Sequence, residues 1–290
     1  MAAATPNDLP PWHLTGEPDG RWPLLLASPH SGRHYPTALL AGSRLGLMQL
    51  RRAEDAFVDA LLDGISGVPV ISATHARCWI DLNRAPDELD PAMFDGALDV
   101  PVTISERVLA GLGVIPRLAG HGLEINAARL PAGQAADRLA ALHRPWHDQI
   151  AGILAAARRR HGAALLIDCH SMPSPSGPRP PQIVLGDCHG RSSHPAIMTA
   201  IEDHFRRQGW RVARNSPYAG GHTTRRHGQP DSGIHAVQIE IDRALYLDQH
   251  RLTLHSGAGR VRAAFTGLAQ RLLADWPRLL AAPPFAQAAE

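Results

Sequence analysis

Ala163-Ala164-Leu165-Leu166-Ile167-Asp168-Cys169-His170-Ser171 is the stretch whose reading decides the fold. Its run from Ala163 to Cys169 is apolar except at Asp168 and short, which predicts a buried strand that delivers His170-Ser171 at its end. Upstream, Asp137–His161 has a helical period, with Leu139, Leu142, Trp146, Ile150, Ile153 and Leu154 on one side; Pro145 is expected to kink or break that helix. Downstream, residues 174–181 form a Pro/Ser/Gly loop, 183–185 a strand, 194–208 a helix, 236–241 a strand and 255–280 a helix. Nearer the start, Leu24–Ser28 reads as a strand closed by Pro29-His30-Ser31-Gly32. Residues 49–63 have a helical period, and 68–72 and 78–82 read as two further strands. Strands separated by helices imply an α/β fold, a single domain with a mixed central sheet flanked by helices. The expected organisation is an irregular lead-in over 1–22, one α/β domain over 23–280 and a tail over 281–290.

The composition narrows the function classes. The chain has 290 residues, 44% hydrophobic and only 5% aromatic, so aliphatic side chains must build the core. A formal charge of +2, with no concentrated basic stretch, argues against nucleic acid as a partner. Every basic side chain among the 29 is arginine, which excludes a lysine Schiff base or a P-loop lysine. Cys78, Cys169 and Cys188 form no CxxC pair and suggest no disulfide framework. Met1–Gly20 lacks the pattern of a signal peptide, and no apolar run reaches the roughly 18 residues of a membrane span. A soluble, cytoplasmic protein with no membrane partner is the expectation.

Sites in open α/β sheets lie beyond the carboxyl ends of strands. His30 and His170 both follow apolar strands, and each has a small residue beside it. Taken singly, each is a hydrogen-bonded loop histidine. Together with a carboxylate from the neighbouring helix, either Asp55 or Glu54, they would make a His/His/carboxylate zinc site with an open position. In Ala236–Arg243, Gln238, Glu240 and Asp242 alternate with Val237, Ile239 and Ile241. That pattern suits an edge strand with one wet face, or, beside a metal, a carboxylate placed to take a proton. Asn83-Arg84 offers an amide beside a guanidinium suited to gripping a carboxylate. Tyr218–His222, with Gly220 and Gly221, suits a loop that closes over a site. His143 and His147 lie four apart without the HExxH pattern, and Pro145 and Trp146 between them point to packing. His30 and His34 share that spacing, but the prolines and glycine around them argue against a helix.

Several blocks occur in order: Ser28–Gly32 with Tyr35-Pro36, Glu54-Asp55, Ile80–Arg84, Gly113–Arg117, His143–His147, Asp168–Pro173, Tyr218–Gly221 and Gln238–Arg243 with Leu245-Tyr246. This series resembles the N-formylglutamate amidohydrolase family over about residues 24–247. The resemblance implies a zinc-carboxypeptidase-like fold and one zinc ion per chain, held by His30, Asp55 and His170, with Glu54 as the alternative third ligand. It further implies Glu240 as general base and Arg84 as carboxylate anchor and oxyanion stabiliser. Asn83, Arg117, Tyr218, Gly221 and Arg243 would help to bind a small anionic N-acyl amino acid. The implied reaction is hydrolysis of N-formyl-L-glutamate to formate and L-glutamate, the last step of one bacterial route of histidine degradation. The alternatives are a zinc-dependent deacylase or peptidase with another small substrate, or a metal- or ligand-binding protein without catalysis. Two departures stand out: Arg33 occupies the place of the carboxypeptidases' second ligand, and Asp242 stands where the family has Asn.

Overall fold

The computed structural model describes residues 9–280; residues 1–8 of the expected lead-in and the expected tail, 281–290, lie outside the described residues. The main sheet has seven strands: β1 (Trp12–Thr15), β2 (Leu24–Ser28), β3 (Val70–Ala73), β4 (Ala164–Met172), β5 (Ile183–Gly186), β6 (Val212–Arg214) and β7 (Ile234–Asp242). Their order is β1-β3-β2-β4-β7-β5-β6. β2, β4 and β7 run parallel, β5 is antiparallel to β7, and β6 is parallel to β5. The fold is thus α/β with a mixed sheet. Its helices include α1 (Val58–Leu62), α2 (Gly133–Arg138), α3 (Arg144–His161), α4 (Pro195–Arg207) and α5 (Ala258–Leu280).

The structure corrects the sequence reading at several elements, each for a physical reason. Trp12–Thr15 is a strand rather than irregular lead-in, and its alternating half-buried and exposed side chains are those of a strand covered on one face. The helical period over 49–63 is interrupted. A helix over Leu47–Leu50 and a 3-10 turn over Arg51–Ala53 end at Glu54, and α1 begins only after Phe57, whose φ is +64°. Asp55 therefore lies on an extended break, not on a helix. Residues 78–82 form turns instead of a strand: Trp79 N–H bonds the Ala76 carbonyl and Asp81 N–H bonds that of Val114. Their apolar alternation reflects burial of Cys78, Ile80 and Leu82 in a loop.

β4 runs on through His170 to Met172, because β7 continues beside it, pairing Glu240 with His170 and Asp242 with Met172. β7 lies between β4 and β5 and is not an edge strand. Nor does Pro145 break its helix. A π turn over Leu139–His143 joins α2 to α3, with Arg144 N–H bonded to the Leu139 carbonyl. Pro145, which has no N–H to donate, sits in the first turn of α3.

The described residues divide into two compact units, one of 9–14, Ser28–Ala56 and Ile71–Ile150, the other of Thr15–Ala27, Phe57–Val70 and 151–280. In the first, Leu39, Leu50, Ala76, Cys78, Ala119 and Ile125 form a buried cluster against which Tyr35 and Trp79 pack. In the second, α5 packs with α1 and α4, and Phe205 meets Phe265 edge-on at 6.1 Å between ring centroids. Each fully buried aliphatic side chain of β4, such as Leu165 or Leu166, contributes about 1.5–3 kcal/mol of transfer free energy.

Two buried histidines of the second unit make the fold sensitive to acid. Burial, and then the nearby Arg226 charge, lowers His227 from the usual 6.5 to about 3. Burial, and then His194, lowers His235 to about 4. Between pH 6.5 and about 4 the unfolded chain binds protons that the folded chain refuses, so these groups contribute stability that is present above 6.5 and is lost as pH falls. Urea unfolding at successive pH values should show a falling midpoint across that window, and His235→Phe should flatten the fall.

Candidate functional site

In the first unit, His30 follows β2 in a loop strapped to residues 74–76. His34 N–H bonds the Thr74 carbonyl, and Ala76 N–H bonds that of His34. Gly32 makes the close approach possible, since a Cβ there would lie 2.1 Å from the His75 carbonyl oxygen. His30 is buried, and both of its ring nitrogens face carboxylates: Nδ1 is 3.2 Å from Asp55 Oδ2, and Nε2 is 2.7 Å from Asp81 Oδ1. Asp55 is brought there by its backbone, whose N–H donates to the His30 carbonyl at 3.0 Å. The break in the helix is therefore what sets the carboxylate beside the imidazole. Glu54, the alternative ligand, is otherwise engaged. It accepts from Tyr35 Oη at 2.5 Å and pairs with Arg51 Nε at 3.0 Å. Burial and the Glu54 charge push the Tyr35 hydroxyl pKa far up, which keeps it a donor.

Asp81 is a residue to which the sequence reading gave no role. Oδ1 accepts from His30 and from the Asn83 N–H at 2.9 Å, and Oδ2 accepts from Arg77 Nε at 2.9 Å. Burial alone would raise its pKa, but the charges of Arg77, His30 and Arg84 hold it well below the usual carboxylate range. A carboxylate behind one imidazole nitrogen, with a second acidic group at the other, is the arrangement that metal-ligating histidines use to fix ring orientation. Its sequence signal was the spacing Asp81-x-Asn83, which places acceptor and amide in one tight turn. Arg84 is largely buried, with Nε on the Leu112 carbonyl at 2.9 Å and Nη1 on the Asn83 carbonyl at 3.0 Å. Arg117 lies 3.3 Å from Asp90 and lines a cleft of about 230 Å³ with Arg44, Glu124 and Arg129.

In the second unit a carboxylate again lies beside an imidazole, though neither buried oxygen of Asp168 has a hydrogen-bond partner among the described residues. Asp168 and His170 are two apart on β4, so they share a face, with His170 Nε2 3.0 Å from Asp168 Oδ2. Asp168, the one charge in the apolar run, was the available signal. Glu240 is paired in register with His170 and is buried, and Gln238 Nε2 donates to Glu240 Oε1 at 2.8 Å. Gln238 Oε1 in turn accepts the Gly221 N–H at 2.7 Å, which ties the Tyr218–Gly221 loop to the strand. Tyr218 is half-buried in that loop. Arg243 Nε donates to Ser171 Oγ at 3.1 Å. Asp242 Oδ1 accepts from Ser174 Oγ at 2.6 Å and from Ala244 N–H at 2.9 Å, so the residue caps the following 3-10 turn. An Asn side-chain oxygen could accept the same two bonds.

The candidate metal-binding His/Asp groups and the buried strand glutamate sit on an α/β scaffold, and the protein is an amidohydrolase, an enzyme acting on an amide C–N bond. The family model of N-formylglutamate amidohydrolase matches residues 22–247, and the chain belongs to that family. It is 31% identical over 271 residues to the N-formylglutamate deformylase of Pseudomonas aeruginosa, covering 89% of this chain and 95% of the relative. It is also 31% identical over 243 residues to the enzyme of that name from Pseudomonas putida, covering 79% and 84%. The crystal structure of N-formylglutamate amidohydrolase from Ralstonia eutropha JMP134 superposes with a TM-score of 0.86 at 31% identity, covering 93% of this chain and 99% of that one. No described helix is long and apolar enough to cross a membrane.

Asp81→Ala should lower the unfolding free energy by about 3–5 kcal/mol, the cost of removing one partner of a buried ionic network. Chemical denaturation at pH 7 measures it, and a loss under about 1 kcal/mol would contradict the bonding described.

Proposed function

We propose that this protein hydrolyses N-formyl-L-glutamate to formate and L-glutamate, with one zinc ion held by His30, Asp55 and His170. The observation that carries the reading is the buried imidazole of His30, bonded to Asp81 at Nε2 and to Asp55 at Nδ1, together with buried His170, whose Nε2 lies 3.0 Å from Asp168. The names of the relatives in Pseudomonas supply the substrate. His30, Asp55 and His170 have the His/His/carboxylate composition of a catalytic zinc site, each offering one ligand atom. Zinc, when bound, supplies Lewis acidity toward a carbonyl oxygen and toward water.

The chain's own residues do the remainder. Glu240, held by Gln238, takes a proton from the attacking water as the new C–O bond forms. It returns that proton to the departing nitrogen as the C–N bond breaks, leaving formate and a free amino group. Arg84, with Asn83, Arg117 and Arg243, holds the substrate carboxylates, and a guanidinium offsets charge developing on the carbonyl oxygen. Tyr218 and Gly221 bound the substrate from the loop tethered to Gln238. Residues 23–280 act as one catalytic domain, in the cytoplasm, at the last step of one bacterial route of histidine degradation.

The direct test is formate release from N-formyl-L-glutamate by purified protein, before and after chelation and after zinc is restored. Release that is lost on chelation and regained with zinc is the expected result. Glu240→Gln, loaded with zinc and melting normally, should lose roughly 10²–10⁴ in kcat. Near-normal turnover by that variant would sink the assignment of the base.

A further inference from the structure

Three side chains from one helical segment converge on a single loop of the first unit. Arg138 Nη1 donates to the Trp79 carbonyl at 3.1 Å, His147 Nε2 to that of Leu82 at 3.0 Å, and His143 Nε2 to that of Arg84 at 2.9 Å. A carbonyl oxygen only accepts, so both imidazoles carry a proton on Nε2. Arg138 also lies flat over the Trp79 ring, 3.3 Å from its centroid, and all three donors are buried. The loop from Ala76 to Arg84 has no strand neighbour to absorb these carbonyls, so the helix does.

The spacing of the donors depends on the π turn. His143 and His147 are four apart and share a face, with their rings 4.5 Å apart. Arg138 and His143 are five apart, which in an α-helix would turn them about 140° away from each other. The wider i→i+5 turn over Leu139–His143 closes much of that angle.

We propose that Arg138, His143 and His147 are positioning residues that clamp the 79–84 loop, setting Asp81 behind His30 and Arg84 toward the substrate carboxylate. The proposal rests on the reading of His30 as a metal ligand and Arg84 as the anchor. Arg84 is held by the Asn83 carbonyl of its own loop and by the Leu112 carbonyl beside it, so a shift of the loop either moves the guanidinium or breaks its bond to Leu112. Asp81 travels with the loop, since its Oδ1 also holds the Asn83 N–H.

The test compares His143→Leu and His147→Leu with His143→Gln and His147→Gln in the full chain loaded with zinc. Melting temperature, kcat and KM for N-formyl-L-glutamate, and zinc affinity by chelator competition are measured for each. The leucine variants should raise KM and weaken zinc binding roughly tenfold each. The glutamine variants, whose amide N–H can donate to the same carbonyls, should recover most of both. Leucine variants that melt lower yet keep wild-type KM and zinc affinity would overturn the clamp. Should they fail to fold, Arg138→Met carries the same comparison with one loop hydrogen bond removed. Arg84→Ala separates the two readings. If it leaves KM unchanged, the substrate anchor is wrong, and the zinc-affinity arm still decides the clamp. If it raises KM while the leucine variants change neither quantity, the clamp alone fails.

Discussion

The carboxylate of Asp81 is the point on which the first unit's chemistry hangs. It is fully buried, and a buried charge survives only where donors surround it. Here Arg77, His30 and the Asn83 amide do so. Two of those bonds also fix something else: the ring of His30, and the turn that carries Asn83 and with it Arg84. One acidic residue thereby aligns a candidate metal ligand with a candidate substrate anchor. The second unit differs, since neither buried oxygen of Asp168 has a hydrogen-bond partner among the described residues. A strand places Asp168 and His170 on one face by its two-residue period, with no turn required.

The sequence made the elements with strong periodicity plain and the irregular ones obscure. β4 and α4 follow from apolar runs and period, and the alternation of β7 gives a strand while leaving open whether it lies at an edge or inside the sheet. The stretch 78–82 alternates apolar and polar residues as a strand does, yet it is a buried loop whose carbonyls are taken by distant side chains. Nothing local distinguishes these cases, because the partners lie near residue 140. The helical period over 49–63 was misleading in the same manner. What breaks it is the bond from Asp55 N–H to the His30 carbonyl, a contact between segments 25 residues apart in the chain. The candidate ligands themselves were legible, since small residues beside histidines at strand ends are a local signal. Asp168 stood out as the one charge in an apolar strand, whereas Asp81 gave only the spacing to Asn83, and an aspartate in a turn looks alike whether it caps, pairs or buttresses.

Asp242 illustrates how a carboxylate near a candidate site can be engaged by its own surroundings. Placed on β7 beside Glu240, it could have been taken for an extra charge facing an anionic substrate. Its Oδ1 instead accepts from Ser174 and from the start of the next turn, work that an amide oxygen does equally well. The Asp242 carboxylate is therefore engaged by a hydroxyl and a backbone N–H at the end of β7.

Gly32 has a meaning beyond the loop it shapes. With its missing Cβ only 2.1 Å from the His75 carbonyl oxygen, the position admits no side chain unless the backbone of one segment gives way. In evolutionary terms the site is closed. Drift can rework the helices and the lining of the pocket, but a lineage that keeps this path for His30 has no neutral neighbour at residue 32. The Ser-Pro-His-Ser-Gly string is thus written as much by the space beside it as by the chemistry of its histidine.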